Sequence, residues 1–304
     1  MELRQLRCFV AVADTLHFGR AAQKLDILPA SLGRQIKLLE ESIGVRLLTR
    51  TTRNVSLTET GTQFLAEARD MVRRADRLTT KFRRRSNERS ALLRVGLIDS
   101  AAAGLLPQLL PLFQQQFPKV NVQLLEQKTI HLIPKLLSGR LDLAIVRPAI
   151  VPDTRLEYSP LFHETPFVAV PENHPLASRK SLAVTDMEEQ PLIVPDPRSR
   201  PHSHDLSIQL FIENGLSARV VQVAEEKQTI VNLVSSGIGL AIVPRWTSRL
   251  NVSGVRFLPL IHDTNADRKE LALAACWLRN ARDPIRENFM SVLNDHLPLF
   301  AESA

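Results

Sequence analysis

The chain has no apolar stretch approaching the ~20 residues that a membrane-crossing helix needs; the longest candidate, Leu271 to Leu278, is far too short. Its first residues place Arg4 and Arg7 without an apolar core behind them, so no signal segment is expected, and a soluble, cytoplasmic protein is. Cysteine is scarce. Cys8 and Cys276 lie at opposite ends of the chain, match no metal-ligand or redox spacing, and are expected to be reduced and semi-buried. Catalytic signatures are missing as well: there is no G-x-S-x-G elbow, no G-x-x-x-x-G-K loop and no full G-x-G-x-x-G. Gly237-Ile238-Gly239 is the nearest approach to the last and reads as a helix C-cap. His202-Ser203-His204 lacks the Cys, Asp or Glu cluster that would complete a coordination shell, so neither a metal nor a cofactor is expected, and the chain is not read as an enzyme. A transport binding protein would need a signal segment and no basic module, and neither condition is met.

What the chain does have is length, apolar content and an uneven charge. With 304 residues and 44% apolar content it can bury more than one core. The formal net charge is +7, but residues 1–90 hold 18 of the 39 Lys+Arg and 10 of the 32 Asp+Glu, giving that third +8 and the remainder −1. A basic module fused to a near-neutral body points to a polyanion bound at one end.

Within that module, Leu3, Leu6, Val10 and Ala13 recur at helical spacing and predict a helix over residues 3–15. A second helix is expected from Gly19 to Leu25, where Ala21-Ala22 would let a neighbour approach closely. Pro29 can open a third, because its missing N–H would be unpaired at the first helical position anyway. Leu32, Ile36, Leu39 and Ile43 form the inner stripe of that third helix, and Ala30, Ser31, Arg34, Gln35 and Lys37 form the face offered to phosphates and base edges. This is the grammar of a helix-turn-helix. Gly44 ends the helix, and Val45 to Leu57 alternates as a two-stranded wing that would carry Arg50 and Arg53 toward the sugar-phosphate backbone.

From Thr58, an N-cap, a helical pattern continues to about Glu88. Leu65, Ala68, Val72, Ala75, Thr79 and Phe82 step along it by alternating threes and fours, the seam of a coiled coil, which reads as a dimerisation helix with packing against its own domain as the alternative. Arg83 to Ser90 reads as a polar hinge.

The remainder alternates strands and helices, which implies parallel sheets with right-handed crossovers. Strands are expected at residues 92–98, 120–125 and 141–146, and again at 192–194, 220–223 and 240–243, with helices at 105–117, 130–137, 206–214 and 229–236. Leu137 to Arg147 and Val234 to Pro244 look like two copies of one unit: a helix end, a glycine cap and a buried strand. Crossover strands near Phe167 to Val170 and Leu271 to Trp277 would complete two lobes with a ligand cleft between them. Ser100, Thr129, the pair His202 and Ser203, and Thr229 each sit at the start of an expected helix facing that cleft, with Arg147 ending a strand beside them. Donors at helix starts together with one arginine suit a small organic anion, most simply a carboxylate.

The stretch from Leu3 to Leu65 resembles the LysR-type transcriptional regulators. Phe9, Ala21-Ala22, Leu25, Gln35-Ile36, Leu39-Glu40, Gly44, Leu47-Leu48, Arg50, Leu57-Thr58 and Gly61 all keep the family's spacing. The resemblance implies an N-terminal α winged helix-turn-helix (1–58), a linker helix with hinge (59–89) and a two-lobed, periplasmic-binding-protein-like effector domain (90–304). The lobes of that domain would comprise about 90–162 with 268–304, and 163–267. It further implies double-stranded operator DNA and a second copy of the chain as partners, assembly as a dimer or tetramer, and RNA polymerase as a candidate partner. Effector contacts at Ser100, Thr129, His202 and Thr229 follow from the same resemblance. One departure stands out. The family usually opens its recognition helix with Ser-Gln-Pro-Ala, whereas this chain has Leu28-Pro29-Ala30-Ser31, without the capping serine and the base-reading glutamine.

Overall fold

The computed structural model describes residues 1–50, 55–149, 151–261 and 271–304, without the side chains of residues 50, 77, 79–90 and 202. The chain divides into two compact units, Met1–Ser90 with Ile130–Leu141, and Ala91–Thr129 with Asp142–Ala304.

The first unit begins with α1 (Leu3–Thr15), α2 (Phe18–Leu25) and α3 (Pro29–Ile43). A ring nitrogen of His17 caps α2 by accepting from the Arg20 N–H at 3.2 Å, so the second helix starts at Phe18, one residue before the sequence expectation. Leu6, Ala13, Leu32, Ile36 and Leu39 are buried with Phe9 and Ala21 in the core of the module, Val10 and Ile43 pack on it partly buried, and Leu3, expected on the inner stripe of α1, is 39% exposed. Burial of each such large side chain favours folding by roughly 1.5–3 kcal/mol. The wing consists of β1 (Leu48–Arg50) and β2 (Val55–Leu57), paired antiparallel. Glu40 ties it to α3, its Oε1 accepting from the Leu47 and Leu48 N–H groups at 2.9 and 3.1 Å.

The long helix α4 (Glu59–Ser90) follows, capped by Thr58, whose Oγ1 accepts from the Gly61 N–H at 2.8 Å. Residues 83–90 continue the helix instead of breaking it as a hinge; they contain no glycine or proline, and arginine is a good helix former. The expected seam needs correction at its start. Leu65 and Ala68 are buried in the module's own core, where α1 covers them and Phe64 meets Phe9 edge-on at 5.5 Å. Arg69 pairs with Asp14 at 2.6 Å, and Arg7 with Asp76, along the same contact. Val72 packs partly buried on this core and Ala75 is half-buried, while the side chains of Thr79 and Phe82 fall outside the described residues.

After α4 the chain forms β3 (Leu92–Leu97), α5 (Asp99–Gly104), α6 (Leu106–Gln116), β4 (Asn121–Glu126), α7 (Thr129–Leu137), whose residues from Ile130 on group with the first unit, and β5 (Leu143–Val146). Next come β6 (Leu156–His163), β7 (Pro166–Pro171), β8 (Leu182–Ala183), β9 (Pro191–Pro195), α8 (Pro201–Glu213), β10 (Arg219–Ala224) and α9 (Lys227–Ser235). The chain finishes with β11 (Ala241–Pro244), β12 (Val255–Ile261), β13 (Ala272–Leu278), α10 (Pro284–Asp295) and α11 (Leu297–Ser303).

One sheet has the order β4-β3-β5-β13-β6 and another β11-β7-β12-β8, with β9 and β10 forming a separate parallel pair. In the first sheet β4, β3, β5 and β6 all run in one direction, and β13, which returns from the far end of the chain, is inserted antiparallel between β5 and β6. In the second, β7 is antiparallel to β11 and β12. The sheets are therefore mixed where the sequence suggested parallel ones. The duplicated unit is present in both places: Gly139 (φ 66°) and Gly237 (φ 76°) take the left-handed turn after a helix end, and β5 and β11 that follow are wholly buried. The two sheets are joined by packing as well as by chain. Trp246, 1% exposed in the 3-10 turn Arg245–Leu250, lies flat against Gly104 of α5, where an added Cβ would come within 1.8 Å of the ring.

Candidate functional site

Two sets of side chains stand out, one on α3 and one where the ends of β3 and β4 meet the segments that follow β9 and β10. On α3, Ala30, Arg34 and Lys37 are exposed on the side opposite the buried Leu32, Ile36 and Leu39, and Ser31 and Gln35 are half-exposed at the flank of that buried stripe. Lys37 has only a loose exposed pairing with Glu41 at 3.7 Å. The face is thus open and cationic, and holding it ready involves little desolvation. The side chain of Arg50 and the whole of Arg53 lie outside the described residues.

The second set is built on opposite principles. Asp99 follows β3, and its carboxylate receives Lys227 from the start of α9 at 2.6 Å and Arg200 from before α8 at 2.8 Å. Lys128, just past β4, reaches Glu225 and Glu226 ahead of α9 at 2.7 and 2.8 Å. Each of these pairs joins the end of β3 or β4 to the segments that follow β9 and β10. Burial alone would raise the Asp99 carboxyl, but the Lys227 and Arg200 charges override it and hold the group far below the usual carboxylate range. Burial lowers the Lys227 ammonium, and Asp99 opposes that drift. Deeper in, Glu164 sits with a fully buried side chain, accepting from the Ser100 hydroxyl at 2.8 Å and from Arg147 at 2.5 Å through the same oxygen. The backbone N–H of Arg147 reaches the Thr129 hydroxyl at 3.3 Å.

The structure therefore gathers Ser100, Thr129 and Arg147 in one place, with their roles altered. Ser100 and Arg147, expected to face a ligand freely, are both committed to Glu164. Ser203 and Thr229 do not precede their helices as expected. α8 starts at Pro201 and α9 at Lys227, so Ser203 lies buried within a first turn and Thr229 is exposed. The proline explains the earlier start of α8, since it fits the first helical turn. The His202 side chain is outside the description. Sequence reasoning missed Asp99, Glu164, Arg200 and Lys227, because a charged residue at a strand end ordinarily reads as solvated surface and nothing local marks these as buried. An opening of about 670 Å³, bordered by Tyr158, Phe162, Leu273 and α8, is mostly apolar; Arg147 and His163 also line it, and Asp205 and Glu213 lie on its α8 side.

Comparison with known proteins places this geometry. Residues 3–62 match the model for the bacterial regulatory helix-turn-helix protein, lysR family, and residues 86–298 match that for the LysR substrate binding domain. The chain is a LysR-type transcriptional regulator. It is 52% identical over 304 residues to the HTH-type transcriptional regulator TtuA of Agrobacterium vitis, with all of both chains covered. Full-length CbnR, a structure solved in complex with its target DNA, superposes with TM-score 0.59 at 25% identity, covering 98% of this chain and 100% of that one. The effector binding domain of BenM, solved with its effector benzoate, shares the fold at TM-score 0.60 and 22% identity over 68% of this chain and 92% of that one. A LysR-type regulator binds DNA through its helix-turn-helix, self-associates, and is controlled by a small molecule in its C-terminal domain. Among the described residues no helix is long and apolar enough to cross a membrane.

Proposed function

We propose that this regulator is switched by a small organic carboxylate held between the two lobes of residues 90–304. The carrying observation is a charge imbalance. Arg147, Arg200, Lys227 and Lys128 are each about one-tenth exposed or less, while the described carboxylates beside them that are less than one-fifth exposed are Asp99 and Glu164. Such an excess of buried positive charge is costly unless anions join it, and the exposed Glu126, Glu225 and Glu226 supply the balance, Glu226 reaching Arg200 from the rim at 3.2 Å. A ligand carboxylate taking the place of Glu226 on Arg200, beside Lys227, would be better shielded and more tightly held. The hydroxyls of Ser100 and Thr129 line the same region and would orient the ligand's remaining polar groups. Entry would disturb the pairs that join the ends of β3 and β4 to the segments following β9 and β10. The ligand's differential affinity for two lobe arrangements is then what reaches the DNA-binding end.

At that end Ser31, Arg34, Gln35 and Lys37 would contact DNA, with Arg50 and Arg53 on the backbone beside them. Dimerisation would use the length of α4 from Val72 onward; a tetramer and contact with RNA polymerase belong to the same reading. Thermal-shift measurement over a panel of carboxylate metabolites tests the ligand class. A bound acid at ~100 times its dissociation constant should stabilise the fold by roughly 2.7 kcal/mol, and Lys227→Met should lose that response. If only cations or neutral sugars raise the melting temperature, and Lys227→Met and Arg200→Gln respond to them as the unaltered chain does, the assignment is wrong.

A further inference from the structure

The recognition helix opens on an apolar tip that no contact within the module accounts for. Leu28 is 75% exposed, more than any other large apolar side chain described in the first unit, although the neighbouring Ile27 packs on the core. It occupies the N-cap position of α3 with an extended backbone (φ −69°, ψ 142°) and makes no capping hydrogen bond. Pro29 follows at the first helical position and offers no N–H, Ala30 is exposed with no polar atom beyond its backbone, and Gly33, one turn on, has open space where a side chain would stand. The first turn of this helix consequently presents almost no hydrogen-bonding side chain. Ser31, half-exposed, is the one hydrogen-bonding side chain of that turn, and Arg34, Gln35 and Lys37 follow behind it.

In a helix-turn-helix the N-terminal residues of the second helix meet the base edges in the major groove. The one apolar feature that the major groove offers is the C5-methyl group of thymine. We propose that this regulator identifies its operator in part by thymine methyl groups packed against Leu28, with the bare surface at Gly33 letting the helix sit close enough for the contact. Leaving Leu28 in water is disfavoured, and covering it with a methyl-bearing base edge removes apolar surface on both partners. Specificity obtained this way is steric and apolar; the positively charged face behind it adds affinity without regard to sequence. The inference rests on α3 being the DNA-reading helix.

The test uses the full-length chain and duplexes selected by it from a randomised library. Each thymine of the selected half-site is replaced in turn by deoxyuridine, which removes the methyl group and keeps every hydrogen-bonding group. One or two positions should then lose affinity about fourfold, the effect expected from burying one methyl-sized group. Leu28→Ser and Leu28→Ala should bind the thymine duplex more weakly and respond to uridine at those positions by less than about 1.5-fold, a clear reduction from the same reference. Because Leu28 is exposed, both variants should fold, and Leu28→Ser should melt no lower than the unaltered chain, since a serine there can cap α3. Equal affinity for thymine and uridine duplexes, unchanged sensitivity in the variants, or a half-site without thymine would overturn the proposal. So would a change of assembly state in Leu28→Ser with thymine sensitivity intact, which would make the tip a protein contact. Failure to select any preferred sequence would instead remove the reading of α3 on which this rests.

Discussion

The helix-turn-helix module and the C-terminal domain handle charge in opposite ways. On α3 and its surroundings the cations are exposed and loosely paired, so the module carries its excess of +8 at little cost and releases counterions when a polyanion arrives. In the crevice of the C-terminal domain, cations and carboxylates are buried, short-range and mutually committed, in a domain whose sum is near zero. An open surface suits a long partner met from solvent. A closed cluster suits a small ligand, which under the function proposed above would displace a carboxylate to enter and so be felt elsewhere.

The contrast breaks most visibly at Asp99. Asp99→Ala leaves Lys227 and Arg200 buried without their shared carboxylate and should cost about 3–5 kcal/mol in urea unfolding, while Arg34→Ala, on the open face, should cost less than about 0.5 kcal/mol. Titration sharpens the same point. The folded Asp99 carboxyl is depressed, so its stabilising contribution is present above the unfolded carboxylate pKa of about 3.9 and is lost as pH falls below it toward the folded value. Urea midpoints should therefore drop through that acidic window in the unaltered chain and show a reduced drop in Asp99→Asn.

A smaller effect is expected at Thr58→Ala, which removes the cap on α4 and the bond to the Arg46 carbonyl at 2.9 Å, and should cost about 1 kcal/mol by thermal melting. Arg34→Ala acts on binding rather than folding: affinity should fall roughly equally on specific and random duplex, and the slope of log affinity against log salt should flatten by about 1. Should Arg34→Ala unfold the protein instead, the open face is structural and the contrast fails.

Much of this organisation is legible in the residues before any coordinates. The 3.6 period of Leu6, Val10, Leu32, Ile36 and Leu39 reports the buried faces of α1 and α3, and Pro29, Gly44 and Thr58 mark the ends because their backbone chemistry leaves few alternatives. The repeated helix-glycine-strand unit is equally plain. Other features depend on partners far away in sequence. Nothing near Leu65 says that α1 will cover it, so an internal contact reads like an external seam. The antiparallel run of β13 is set by chain arriving from the opposite lobe. Glu164, Arg200 and Lys227 look like ordinary surface charges until the fold brings Ser100, Arg147 and Asp99 against them.

The most direct test of the account is fluorescence anisotropy of a labelled operator duplex with the full-length chain, titrated with the carboxylate that gives the largest thermal shift. The account predicts that the acid changes DNA affinity in the unaltered chain, that Lys227→Met binds DNA as the unaltered chain does without ligand, and that its affinity no longer moves when the acid is added. An acid response that persists undiminished in Lys227→Met, or DNA affinity indifferent to every acid that stabilises the protein, would contradict it.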